Sequence, residues 1–155
     1  MKFISNNSKE TRTIAEDLVS KLIPTQTAMV IGLYGNLGAG KTTFVQALAK
    51  TLGVEDRVAS PTFVIEKIYP IRTNGRGRPT SNGASEFTHL IHIDAYRIEK
   101  SDELLHLGWN EIISDRKNLV VVEWADRIRD IMPQHIKISL KPLENESSRE
   151  IEIVL

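Results

Sequence analysis

Cysteine is absent from the 155 residues. That excludes disulfides, thiolate metal sites and a cysteine nucleophile, and it fits a reducing compartment. Net charge is absent too. Twenty basic residues offset twenty acidic ones, so the chain lacks the general electrostatic footprint that drives non-specific binding to nucleic acid or membranes. The opening stretch MKFISNNSKETRT has no apolar signal core, and no apolar run approaches a membrane span. A cytoplasmic location with no membrane partner is the expectation. His89, His92, His106 and His135 lack zinc-ligand spacing and are read as structural. No internal repeat occurs. With 41% hydrophobic content the chain can bury one good core, and a second independent domain would be a tight fit, so residues 1–155 read as a single domain.

What is present is an alternation of helical and extended patterns. Residues 8–23 carry a helical stripe of Ile14, Ala15, Leu18, Val19 and Leu22, with Ser8 as the expected N-cap and Pro24 as the stop. An apolar strand follows at 28–34, then a helix from Lys41 to about Leu52. Residues 63–69 and 89–94 are rich in β-branched side chains and read as strands. Between them, residues 70–87 are dominated by Gly, Pro, Ser, Asn and Arg, the composition of an exposed, mobile loop insertion. A short helix capped by Ser101 is expected at 102–107, a buried strand at 119–122 ending in Glu123 and Trp124, and another short helix around 126–131. Residues 135–140 and 149–155 alternate apolar and polar side chains, the pattern of a half-exposed antiparallel hairpin at a sheet edge.

The most specific signal lies between the first strand and its helix. Gly35, Asn36, Leu37, Gly38, Ala39, Gly40, Lys41, Thr42 and Thr43 form a complete G-x-x-x-x-G-K-T loop. Its glycines take backbone angles forbidden to other residues, so successive N–H groups can turn inward around phosphate oxygens. Lys41 would reach the β- and γ-phosphates, Thr42 would offer its hydroxyl to Mg²⁺, and the helix would point its positive end at the same anion. The implied fold is α/β: a P-loop NTPase-like central parallel sheet with antiparallel edge strands and helices on both faces, the ligand lying at the carboxyl ends of the strands. Such a loop needs a carboxylate for the metal, and a hydrolase also needs a group to orient or deprotonate water. Glu123 and Asp94 each end a predicted strand and are candidates for both tasks. Ser60-Pro61-Thr62-Phe63 has the form of a switch whose hydroxyls could sense Mg²⁺ or the γ-phosphate. Trp124 could shield the phosphate site, contact a partner or be a core aromatic.

Taken together, GNLGAGKTT, SPTF, the HIDAYR stretch at 92–97, the segment at 101–108 and VVEW at 121–124 resemble the TsaE family of bacterial P-loop ATPases, in order and spacing, from about residue 8 to residue 155. The resemblance implies a protein that works with TsaB and TsaD in forming N6-threonylcarbamoyladenosine at position 37 of tRNAs that read codons beginning with A. It would hydrolyse ATP to ADP on the TsaB–TsaD pair, resetting the complex between cycles, and meet tRNA indirectly through that complex. It would not transfer the threonylcarbamoyl group itself. Position by position, it assigns residues 38–43 to the phosphates, Thr42 and Glu123 to Mg²⁺, Asp94 to a catalytic or switch role, and Ser60, Pro61 and Thr62 to the first switch. Lys41, Asp94 and Glu123 are then the candidate catalytic residues. Trp124 becomes a site residue and Arg149 an arginine brought toward the nucleotide. The chain departs from the family in one place, where about a dozen extra residues lie around 73–85.

Two other functions compete. Arg72, Arg76 and Arg78 could close as a lid over a transferring phosphoryl group in a small-molecule or nucleoside kinase. An ATP-gated binding module would bind nucleotide without hydrolysing it. A GTPase is disfavoured because neither N-K-x-D nor D-x-x-G occurs, and an ABC-type ATPase is excluded by size and by the lack of an L-S-G-G run.

Overall fold

Consecutive side chains of the central strands are apolar, as in Val120-Val121-Val122 of the strand ending at Glu123, so a sheet built from them has two faces to cover. The computed structural model describes residues 1–72, 86–145 and 147–155, and the extra segment at 73–85, with Arg76 and Arg78 in it, lies outside the described residues. In chain order the elements are β1 (Lys2–Ser5), α1 (Ser8–Lys21), β2 (Met29–Tyr34), α2 (Lys41–Leu52), β3 (Glu66–Pro70), β4 (His89–Asp94), α3 (Asp102–His106), α4 (Trp109–Ser114), β5 (Asn118–Glu123), a 3-10 turn (Ala125–Ile128), β6 (Ile136–Pro142) and β7 (Arg149–Val154). The strands form one sheet in the order β1-β7-β6-β2-β5-β4-β3. The middle four are parallel; β7, β1 and β3 are antiparallel to their neighbours. This is the mixed α/β sheet expected, with antiparallel strands at both edges.

The two faces collect separate cores. Ile31, Leu33, Leu119, Val121, Leu90 and Ile138 meet α1 through Ile14, Leu18 and Val19, and α2 through Phe44, Val45, Leu48 and Leu52. Val30, Val120, Val122, Ile91 and Ile93 meet Leu104 of α3, Trp109 of α4 and Ile128. Each fully buried Leu, Ile or Phe of this kind contributes about 1.5–3 kcal/mol. Period-two alternation then decides where the polar members of the same strands point: His92 and Asp94 share the face of Leu90, and Glu123 shares the face of Leu119 and Val121, which is the face that α2 covers. Among the described residues no helix is long and apolar enough to cross a membrane.

Several boundaries differ from the sequence reading. The cap of α1 is Asn7, not Ser8: its side chain accepts the Glu10 N–H at 2.9 Å, while Glu10 reaches back to the Asn6 N–H at 2.8 Å. The helix ends at Lys21, before Leu22 and Ile23. The strand expected at 63–69 starts only at Glu66, because the Pro61 carbonyl accepts N–H groups from both Val64 (3.0 Å) and Ile65 (2.7 Å) and holds 61–65 in a turn; Ile65 has φ 66°. Ser101 occupies the N-cap position of α3 but makes no side-chain cap, its hydroxyl donating to Asp130 instead. β6 is not an edge addition, since it pairs in parallel with β2 and only its other side takes β7 in antiparallel. The helix expected around 126–131 is the 3-10 turn Ala125–Ile128. β1 and α4, four and six residues long, are too short to show a period.

The cap generates a test. Asn7→Ala is expected to lower stability by about 1 kcal/mol, whereas Ser8→Ala should change it little. Urea unfolding of the two variants distinguishes the caps, and a larger loss for Ser8→Ala would contradict the assignment.

Candidate functional site

The carboxyl ends of β2, β5 and β4 lie side by side, because Leu33 is opposite Glu123 and Glu123 is opposite Asp94 in the register. Residues 35–40 leave β2 and turn sharply into α2. Gly35, Gly38 and Gly40 all have positive φ, 143°, 78° and 95°. Gly35 is required by its surroundings as well, since a side-chain carbon there would collide with the Leu140 carbonyl oxygen, whereas one at Gly40 would displace the guanidinium of Arg149. Gly40 caps α2 without a side chain, so the first N–H groups of that helix keep their donors for a ligand.

Against this turn the sheet delivers its polar groups. Thr42 Oγ1 donates to the Glu123 carboxylate, 2.9 Å from Oε1 and 3.1 Å from Oε2. Glu123 Oε1 also lies 2.8 Å from His92 Nε2. Asp94 is tied elsewhere: Oδ2 accepts from Ser60 (2.6 Å) and Thr62 (2.9 Å), and Oδ1 accepts the Tyr96 N–H at 2.9 Å. The Ser60–Thr62 segment is thereby fastened to the end of β4. Lys41 donates to the Gly35 and Asn36 carbonyls at 2.7 and 3.0 Å, and its ammonium sits 3.7 Å from the centre of a Trp124 ring. Trp124 in turn meets Tyr96 at 5.0 Å between ring centres. Its φ of 58° and ψ of 43° place a bulky residue in left-handed space, a conformation that costs about 1–3 kcal/mol and concentrates at functional sites.

A cavity of about 450 Å³ opens among Leu37, Gly38, Lys41, Thr42, Ser60, Thr62, Asp94, Tyr96, Glu123 and Trp124. This is the size range of small-molecule sites. Thr43 lines both this cavity and a second groove of about 360 Å³ that continues between α1 and α2 past Ser8, Lys9, Arg12, Gln46 and Lys50. Lys41, Asp94 and Glu123 are all buried, 5, 4 and 3% exposed, so one basic and two acidic side chains meet at the inner wall. Arg149 does not line the cavity; it lies against Gly40 of the loop. Among the described residues no group of three or more His, Asp or Glu could hold a metal ion alone. A hydroxyl beside a single carboxylate, 2.9 and 3.1 Å from its two oxygens, fits a cation that keeps several waters and takes its remaining ligands from phosphates, the habit of Mg²⁺.

The family model described as threonylcarbamoyl adenosine biosynthesis protein TsaE matches residues 5–151. The chain belongs to the TsaE family. A tRNA threonylcarbamoyladenosine biosynthesis protein TsaE from Treponema pallidum is 30% identical over 154 residues, with 99% of both chains covered. TsaE of Rickettsia typhi is 32% identical over 142 residues, covering 90% of this chain and 85% of that one. TsaE of Bacillus subtilis is 36% identical over 134 residues, 86% and 72% respectively. A crystal structure of Bacillus subtilis YdiB superposes with TM-score 0.70 at 31% identity, covering 97% of this chain and 82% of that one.

In this TsaE chain the structure gathers Leu37, Gly38, Gly40, Lys41, Thr42, Thr43, Ser60, Thr62, Asp94, Glu123 and Trp124 around one cavity, with Arg149 against Gly40 of the loop. Two participants escaped the sequence reading. Tyr96 lines the cavity, and its only signal was its place in the HIDAYR stretch. His92, read as structural, bonds Glu123; its signal was strand alternation, which puts it two residues before Asp94 on the same face.

Burial pushes the Lys41 ammonium below the ordinary lysine range, and the Glu123 and Asp94 carboxylates draw it part of the way back. The unfolded chain holds that proton more tightly, so charged Lys41 costs folding free energy at neutral pH and the cost fades as pH rises through the lysine range. Lys41→Met is therefore expected to unfold at an equal or higher urea concentration than the parent at neutral pH, with the gap narrowing in alkali. A marked loss of stability at neutral pH would reverse the sign.

Proposed function

We propose that this TsaE protein binds Mg-ATP in the loop at 35–43 and hydrolyses it when docked on the TsaB–TsaD pair, in the formation of N6-threonylcarbamoyladenosine at position 37 of tRNAs that read codons beginning with A. The observation that carries the reading is the meeting of Thr42 and Glu123 at 2.9 Å beside the N-terminus of α2. It joins a strand-end acid to the hydroxyl of the phosphate loop, the two groups that would hold Mg²⁺. Mg²⁺, when bound, neutralises charge on the β- and γ-phosphates. The chain's own residues do the rest. Backbone N–H groups of 38–43 receive phosphate oxygens, and the Lys41 ammonium, now shared between loop carbonyls and the Trp124 ring, supplies the charge-assisted contact. Asp94 holds the Ser60–Thr62 segment at the cavity wall through two hydroxyl donors, so a partner that moves this segment also moves a carboxylate in reach of the reacting water. The groove that begins at Thr43 is the room available to the nucleoside. Turnover resets the TsaB–TsaD complex between cycles, and tRNA is met indirectly through that complex. A cytoplasmic setting, where ATP, TsaB and TsaD occur together, follows from this reading. Arg72, one of the arginines a kinase lid would use, pairs with Glu55 at 3.3 Å and does not line the cavity.

Phosphate release by the protein alone, and then with TsaB and TsaD added and no small-molecule acceptor, tests the reading. Strong stimulation is expected. ATP binding with no release in either condition would favour an ATP-gated binding module, and release only with an added acceptor would favour a kinase. Within the site, Glu123→Ala is expected to weaken ATP binding in Mg²⁺ more than in chelator, whereas Asp94→Ala should bind Mg-ATP almost normally and lose hydrolysis. Calorimetry paired with turnover checks both, and the opposite pattern would exchange their roles.

A further inference from the structure

Glu123 has one hydrogen-bond donor that does not belong to the phosphate loop. The Thr42 hydroxyl owns a single proton and faces both carboxylate oxygens, at 2.9 and 3.1 Å, so it does not by itself choose between them. The choice comes from His92. Its ring is fully enclosed, 0% exposed, with Nε2 2.8 Å from Oε1 of Glu123 and no contact to Oε2 within hydrogen-bond range. The other ring nitrogen, Nδ1, is buried and has no hydrogen-bond partner among the described residues. A proton on Nδ1 would have no acceptor, whereas a proton on Nε2 has the carboxylate. Of the two neutral tautomers, the geometry therefore selects the one with its proton on Nε2. We propose that His92 is a positioning residue: through Nε2–H it fixes Oε1 of Glu123 and leaves Oε2, which His92 does not touch, as the oxygen available to the cation site. The backbone supports this division of labour. His92 and Glu123 sit on adjacent parallel strands, β4 and β5, with His92 opposite Val121, so the ring comes from the sheet itself and not from any segment that would move with nucleotide. An orienting donor behind a metal-ligating carboxylate commonly changes metal affinity 10- to 100-fold when removed. The inference rests on the Mg-ATP reading above.

Two measurements test it. Nitrogen-15 NMR of histidine-labelled protein without nucleotide or metal, at about pH 8 where an ordinary imidazole is neutral, is expected to show His92 protonated on Nε2 and bare on Nδ1. The resonance is assigned by its disappearance in His92→Gln. ATP binding by calorimetry is then compared in Mg²⁺ and in chelator. His92→Leu, which keeps the bulk but has no donor, should raise the Mg²⁺ concentration needed for tight ATP binding about 10- to 100-fold, with affinity in chelator unchanged. His92→Gln carries an amide nitrogen the same number of bonds from the backbone and should recover most of the loss. A proton on Nδ1 overturns the proposal, as does an unchanged Mg²⁺ requirement in His92→Leu. An equal loss of affinity with and without Mg²⁺ also overturns it, by showing a purely structural role. If His92→Leu does not fold, the NMR result and His92→Gln decide. Should the parent protein fail to hydrolyse ATP with TsaB–TsaD, the ATPase reading falls while these binding and NMR measurements still judge His92.

Discussion

One buried carboxylate holds the site to the fold. Glu123 ends β5, takes the Thr42 hydroxyl from α2 and stands 2.8 Å from His92 of β4, so a strand end, a helix start and a neighbouring strand converge on a single group. Burying an ionised carboxyl is costly unless donors replace its water, and here the donors come from the elements that must be held in register. A second carboxylate one strand away, Asp94, is satisfied by another set: Ser60, Thr62 and the Tyr96 N–H. Two acids opposite each other in the register would repel across one strand spacing. The Lys41 ammonium offsets this, since both carboxylates act on it.

The same corner carries the backbone's least favourable angles. Gly35, Gly38 and Gly40 absorb three of them, and Trp124 adopts a left-handed conformation without being glycine. Its ring is held between Lys41 and Tyr96, so contacts that shape the cavity also stabilise the strained backbone. The interior of the sheet, by contrast, is regular and apolar on both faces. Stability therefore comes from the layers, and the carboxyl edge is free to hold charge and strain.

The sequence made the central architecture legible because long apolar strands and the glycine loop leave a period and a motif. Met29–Tyr34, His89–Asp94 and Lys41–Leu52 could be read directly. The acids at strand ends were visible for the same reason. What could not be read were features decided by tertiary contacts. Asn7 and Ser8 are both good caps, and only the path of the chain from β1 selects Asn7. Phe63 and Val64 look like a strand but are held in a turn by the Pro61 carbonyl, leaving Phe63 85% exposed beneath the Arg97 guanidinium. β6 alternates like an edge strand, yet it lies inside the sheet beside β2. His92 carried no motif of its own; its role follows from which face of β4 it occupies.

The most direct measurement is a crystal structure of this TsaE protein with Mg²⁺ and a non-hydrolysable ATP analogue. The account predicts the phosphates cradled by residues 38–43, the cation about 2.0–2.1 Å from Thr42 Oγ1, and the Glu123 carboxylate directed at it through Oε2 or one water. A nucleotide bound away from this loop, or a cation that leaves both Thr42 and Glu123 uncoordinated, would contradict it.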